Sequence, residues 1–176
     1  VVWLQGGGGG IENLYDTIFA ADSIPPLKLL ISAQLSILQA FSARADLALS
    51  LRGIGIKISD GVILDTDIKV LNHAQLQFEW YPEFYFMASA SVNVFDVITG
   101  GGYIVVENSG FFEFYVKAAV KIPDEILFIG GIKLGSVDLG ASSHRIWGGI
   151  EVIGIRAGVC YYWGGDFNFG FGGNAP

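Results

Sequence analysis

Residues 112–122 read FEFYVKAAVKI. Phe112, Phe114, Val116, Ala118, Val120 and Ile122 fall on one parity; Glu113, Tyr115, Lys117 and Lys121 fall on the other. Side chains of a β-strand point alternately to opposite faces, so this period of two predicts a strand with one apolar and one polar face.

The same period runs outward in both directions. Upstream, Ile31, Ala33, Leu35 and Ile37 alternate with Ser32, Gln34 and Ser36, and Ala43 to Leu51 alternate with Ser42, Arg44, Asp46, Ser50 and Arg52. Ile54, Ile56 and Ile58 follow with a slipped phase, so Gly53–Gly55 is expected to be a bulge. Asp60-Gly61 predicts a hairpin turn. Leu64 to Val70, Ala74 to Trp80 and Phe84 to Val94 continue the alternation, with Asn72-His73 as a break and Pro82 as a turn. Thr99–Gly102 reads as a turn before a short strand, Tyr103–Glu107. Downstream, residues 123–131 connect to strands over Ile132–Ser142 and Ile146–Trp163.

Before all of this, Ile11, Leu14, Tyr15, Ile18 and Phe19 recur at the helical period. They predict one short amphipathic helix over residues 11–21, closed by Pro25-Pro26. The expected fold is therefore all-β: an antiparallel sandwich or twisted barrel-like sheet of about eight or nine strands, in meander or Greek-key order, with that helix at its N-terminal side. Residues 1–10 read as a glycine-rich stub or linker, because Gly6–Gly10 carry no side chains to pattern. Residues 11–26 form the helix and its connector, residues 27–165 the β domain, and residues 166–176 a Gly/Phe/Asn tail.

Composition narrows the function. At 176 residues the chain suits one domain able to bury a core, and 52% hydrophobic against 15% charged residues excludes a disordered chain. A net charge of −7 with no basic cluster argues against nucleic acid. The single cysteine, Cys160, excludes a disulfide framework, and with His73 and His144 it is too little for a typical zinc site. No cofactor is expected. A first residue of Val1 and a single methionine, Met87, suggest a piece or processed form of a longer chain.

Three features offer chemistry. Asp65 and Asp67 share one strand face, where they could hold a calcium ion or act as an acid–base pair, although a solvated face with Lys69 as partner is the simpler reading. Ser143-His144 lacks the surroundings of a nucleophile, and Cys160 in a strand reads as a small hydrophobe. Trp80, Tyr81, Trp147, Tyr161 and Trp163 fall at or near strand ends, where aromatic rings stack on sugars or sit at a membrane interface.

The favoured expectation is a non-catalytic structural or binding module, extracellular or at the cell surface. It would partner with itself or with neighbouring domains of a longer chain, because the apolar content exceeds what a free domain needs. An apolar-ligand carrier and a membrane-associated β-barrel or pore-forming segment are the alternatives. Membrane contact is not favoured, because short and long turns do not alternate and the helix would need a place in the lumen or interface.

Overall fold

The computed structural model describes residues 2–19, 24–37, 41–63 and 68–172. Among these, twelve strands and one helix follow in chain order: β1 (Val2–Glu12), α1 (Leu14–Ile18), β2 (Lys28–Ile37), β3 (Phe41–Ser50), β4 (Gly53–Ile63), β5 (Ile68–Glu79), β6 (Tyr85–Val94), β7 (Ile98–Glu107), β8 (Phe112–Lys121), β9 (Lys133–Ser142), β10 (Arg145–Val152), β11 (Ile155–Tyr162) and β12 (Phe167–Phe171). Every strand is hydrogen-bonded to its neighbours in sequence, so the spatial order is the chain order. The chain divides into two compact units, Val1–Ser89 and Ala90–Pro176.

The all-β antiparallel class agrees with the alternation. The expected sandwich does not form: all twelve strands belong to one sheet, in meander order. The count exceeds eight or nine because glycine hides strands from pattern reading. Gly6–Gly10 lie in β1 and pair with residues 30–34 of β2, so they are a strand and not a joint. A ladder needs only backbone N–H and C=O groups, which a glycine run retains. Gly100–Gly102 likewise lie inside β7, opposite Val116 to Ala118 of β8. A Cβ on Gly101 would come within 2.9 Å of the Ala90 carbonyl oxygen, which gives a packing reason for glycine in the ladder.

The turns lie elsewhere. Phe95 and Asp96, at φ 53° and 54°, make the β6–β7 turn, with the Val97 N–H donating to the Val94 carbonyl at 3.0 Å. Ile153 (φ 47°) and Gly154 (φ 78°) split the expected strand Ile146–Trp163 into β10 and β11. Left-handed backbone at both central residues matches the right-handed twist of a tight hairpin. Asp60-Gly61, read as a hairpin, is a bulge inside β4: Asp60 has φ 55° and the register with β5 shifts between Gly61 and Val62. The bulge expected at Gly53–Gly55 is absent; Gly53 opens β4 and Ile54 pairs with Leu49. Residues 167–171 of the tail pair with β11 as β12.

The helix is shorter than the apolar stripe implied. It covers Leu14–Ile18, while Ile11 and Glu12 extend β1 opposite Leu29 and Lys28. No helix residue is buried, and Leu14, Tyr15, Ile18 and Phe19 all face outward. Residues 20–23, the end of the expected helix and the start of its connector, lie outside the described residues.

Candidate functional site

Directly opposed residues in antiparallel strands share a face, so the registers assign every side chain to one side of the sheet. In unit Ala90–Pro176 one row runs Val116, Leu139, Gly148, Val159, Phe169. The row on one side of it runs Phe114, Ala141, Ile146, Tyr161, Phe167, and the row on the other runs Ala118, Val137, Ile150, Ala157, Phe171. None of these fifteen residues carries a charge. In unit Val1–Ser89 the same holds for Leu29, Leu49, Ile54 and Phe78, and for Ile31, Leu47, Ile56 and Leu76.

The opposite face of the second unit is polar and tied together. The Arg156 guanidinium donates to both Asp138 oxygens, at 2.7 and 3.0 Å. Lys133 pairs with Glu151 at 2.6 Å, and the Tyr103 hydroxyl donates to Glu113. Gly140 and Gly149 leave room for this layer. The Trp147 indole lies against Gly140, where a Cβ would overlap it, and a Cβ on Gly149 would come within 2.6 Å of Arg156 Nη2. In the first unit Ser32 and Arg44 both donate to Asp46, at 2.5 and 3.0 Å, and Gln34 donates to Ser42 at 2.7 Å. A cavity of about 640 Å³ in this unit is lined both by polar residues, among them Lys28, Ser32 and Asp46, and by apolar ones, among them Leu47, Ile56 and Leu76.

Exposure is inverted relative to a protein that folds around an oily core. Along β9, Val137 and Leu139 are 53% and 48% exposed, while Asp138 between them is 5% exposed. Ser136, Ser142 and Cys160 are buried on the polar face as well. Among the described residues, Ala43 and Cys160 are the buried hydrophobic side chains, against five buried polar or charged ones. The usual expectation is the reverse.

The residues singled out from sequence do not converge on one site. Trp80 donates its indole N–H to the Leu51 carbonyl at 2.7 Å, and Arg52 sits 5.2 Å over the Tyr81 ring; both aromatics belong to the first unit. In the second unit Tyr161 and Trp163 meet edge to face at 5.9 Å. Trp147 lies on the other face of the sheet, stacked on Tyr115 at 6.4 Å with Arg145 4.7 Å from its ring. Asp65 and Asp67 lie outside the described residues. Among the described residues no group of three His, Cys, Asp or Glu side chains could hold a metal. His144 sits in the β9–β10 turn beside Phe111 at 6.5 Å.

Pattern reading left out Ser136, Asp138, Gly140 and Gly158, which share the small-residue face of β9 and β11 with Cys160. Its signal was present as small or polar residues alternating with Val137, Leu139, Ala157 and Val159. No helix among the described residues is long and apolar enough to cross a membrane, which says nothing about crossing by strands. No protein-family model matches the chain, and no curated protein or solved structure is similar to it.

The packing under Trp147 is testable. Gly140→Ala should displace the indole from its stack on Tyr115 and cost about 1–3 kcal/mol, as overpacking of a filled layer does. Urea unfolding followed by tryptophan fluorescence measures this; a loss under 0.5 kcal/mol, on the order of ordinary surface substitutions, would show that the layer is loose.

Proposed function

We propose that this chain is membrane-spanning β-sheet, the wall of an outer-membrane-type barrel, with its apolar face toward lipid and its polar face toward water. The observation that carries this is the inversion along β9, where Asp138 is hidden and Val137 and Leu139 are open. In a sandwich, the crowded inner face is apolar and the outer face polar. A spanning sheet has the opposite arrangement, because lipid replaces the core.

Further features support the reading. Most strands hold 8 to 12 residues, around the 9–11 needed to cross a bilayer at a tilt. The order of the described strands is a pure meander, as in single-chain barrels. Lipid offers no hydrogen bonds, so the outer edges of β1 and β12 need hydrogen-bond partners in the membrane. The alternative is the self-associating module expected from sequence, in which a second copy covers the apolar face. It leaves the burial of Asp138, Ser136 and Ser142 on the opposite face without a purpose. On the membrane reading, the cell-surface location expected from sequence becomes a location within a membrane.

The test is to dilute the urea-unfolded chain into phosphatidylcholine vesicles. It should float with the vesicles, resist alkaline carbonate and run on gels with a mobility that changes on boiling. A folded, lipid-free species that stays at the bottom of the gradient would overturn the proposal. Large lipid-free assemblies would favour the self-associating module instead.

A further inference from the structure

The two ends of unit Ala90–Pro176 are built from different turns. At one end the connections are Asn108-Ser109-Gly110-Phe111, Ser143-His144 and Trp163-Gly164-Gly165-Asp166; Trp163 is exposed there, and the positive-φ positions are Gly110 and Gly165. At the other end lie Phe95-Asp96-Val97, residues 122–132, and Ile153-Gly154, with Gly131 and Gly154 also at positive φ. Each of these three holds a bulky apolar residue in the left-handed region: Phe95 (φ 53°), Phe128 (φ 69°) and Ile153 (φ 47°). A side chain with a Cβ is strained there, and glycine or asparagine would relieve it. All three are exposed, Phe128 to 99%.

The longest of these connections is not a loose loop. Ile122 N–H donates to Ile132 at 2.9 Å, Gly131 to Ile122 at 3.0 Å and Gly130 to Ile126 at 2.7 Å. Lys121 pairs with Asp124 at 2.9 Å. The backbone is folded back on itself while Leu127 and Phe128 point outward. Both ends hold glycines in the left-handed region, but only this one also holds bulky hydrophobes there, and three strained, water-facing hydrophobes mark it as the end that leaves water.

We infer that this end of the unit is seated in the bilayer interface, with Phe95, Leu127, Phe128 and Ile153 immersed among the lipid headgroups and upper acyl chains. The inference rests on the membrane reading above. Its second support is height. From Phe112 to Val120 the apolar parity of β8 spans eight residue steps, about 27 Å along the strand at ~3.4 Å per residue. At a barrel-like tilt of about 40° this becomes about 21 Å, short of the ~25 Å apolar band such sheets present. The apolar turns continue the band at one end and supply the difference. Asp96, Asp124 and Glu125 beside them favour a zwitterionic rather than an anionic surface.

The experiment places a polarity-sensitive fluorophore on single cysteines at positions 128, 109 and 139 in a Cys160→Ala background, in phosphatidylcholine vesicles carrying lipid-borne quenchers. The label replacing Phe128 should emit to the blue and be quenched by headgroup-level quenchers at least threefold more than the label replacing Ser109. The label replacing Leu139 should respond to deep quenchers. If position 128 is as aqueous as position 109 while 139 meets lipid, the seating is wrong and the membrane reading stands. If 139 is aqueous too, the membrane reading itself fails. A label at 128 shielded from both water-borne and lipid-borne quenchers would overturn the inference in favour of a protein partner. As a second readout, the triple variant Phe95→Asn, Phe128→Asn, Ile153→Asn eases the backbone and removes the apolar tips. It should fold yet partition into vesicles at least tenfold less; unchanged partition would overturn the seating.

Discussion

Val159→Arg should nearly eliminate folding into vesicles. Val159 lies in the middle row of the apolar face, between Gly148 of β10 and Phe169 of β12. On a spanning sheet, an arginine near the bilayer midplane costs about 2–4 kcal/mol, which lowers the folded-to-unfolded ratio roughly 30- to 700-fold. Ile155→Arg, in the row of Val152 near the strand ends, should cost only about 0–1 kcal/mol because its head reaches the interface. Urea titration of both variants in phosphatidylcholine vesicles measures the difference. The contrast carries the information. Lipid imposes a cost graded by depth, whereas a protein partner covering the face has no reason to follow the membrane normal. Equal penalties at the two positions would count against lipid, and a tolerated arginine at position 159 would remove the basis for the proposed function.

The second large effect concerns the opposite face. Asp138→Ala should cost about 1.5–3 kcal/mol, because it removes the carboxylate that accepts two charge-assisted hydrogen bonds from Arg156, whose side chain is only 27% exposed. The carboxylate accepts two hydrogen bonds from Arg156 and is itself 3% exposed, so water cannot replace it without opening the layer. Adding Arg156→Met to Asp138→Ala should recover part of the loss, since the guanidinium that lost this carboxylate is then gone as well. A double-mutant cycle by urea unfolding gives the coupling directly. A cost under about 0.5 kcal/mol for Asp138→Ala would indicate that the polar face is open to water and carries little of the stability.

Much of the strand content was legible because alternation survives translation into structure. β8 and β3 lie where their side chains said they would. What escaped was everything written in glycine. Gly6–Gly10 and Gly100–Gly102 contribute ladder hydrogen bonds and no pattern, so a strand looks like a joint or a turn. Turn chemistry misled in the other direction. Asp60-Gly61 has the composition of a hairpin but serves as a bulge, while Phe95-Asp96, of unlikely composition, makes the tight turn. The aromatic residues singled out as a patch divide between faces, because Trp147 and Tyr161 have opposite parity on neighbouring strands.

By itself the amino-acid sequence determined the period of two, the antiparallel all-β class and the existence of one apolar and one polar side on each strand. These follow from local geometry, in which successive side chains must point to opposite faces. Which side would be hidden was not local. It depends on how neighbouring strands crowd one face, where Ser136, Asp138, Gly140 and Cys160 are small enough to fit, and leave the other open. That choice belongs to the packing of the sheet, and it left the apolar side open where an oily interior had been expected.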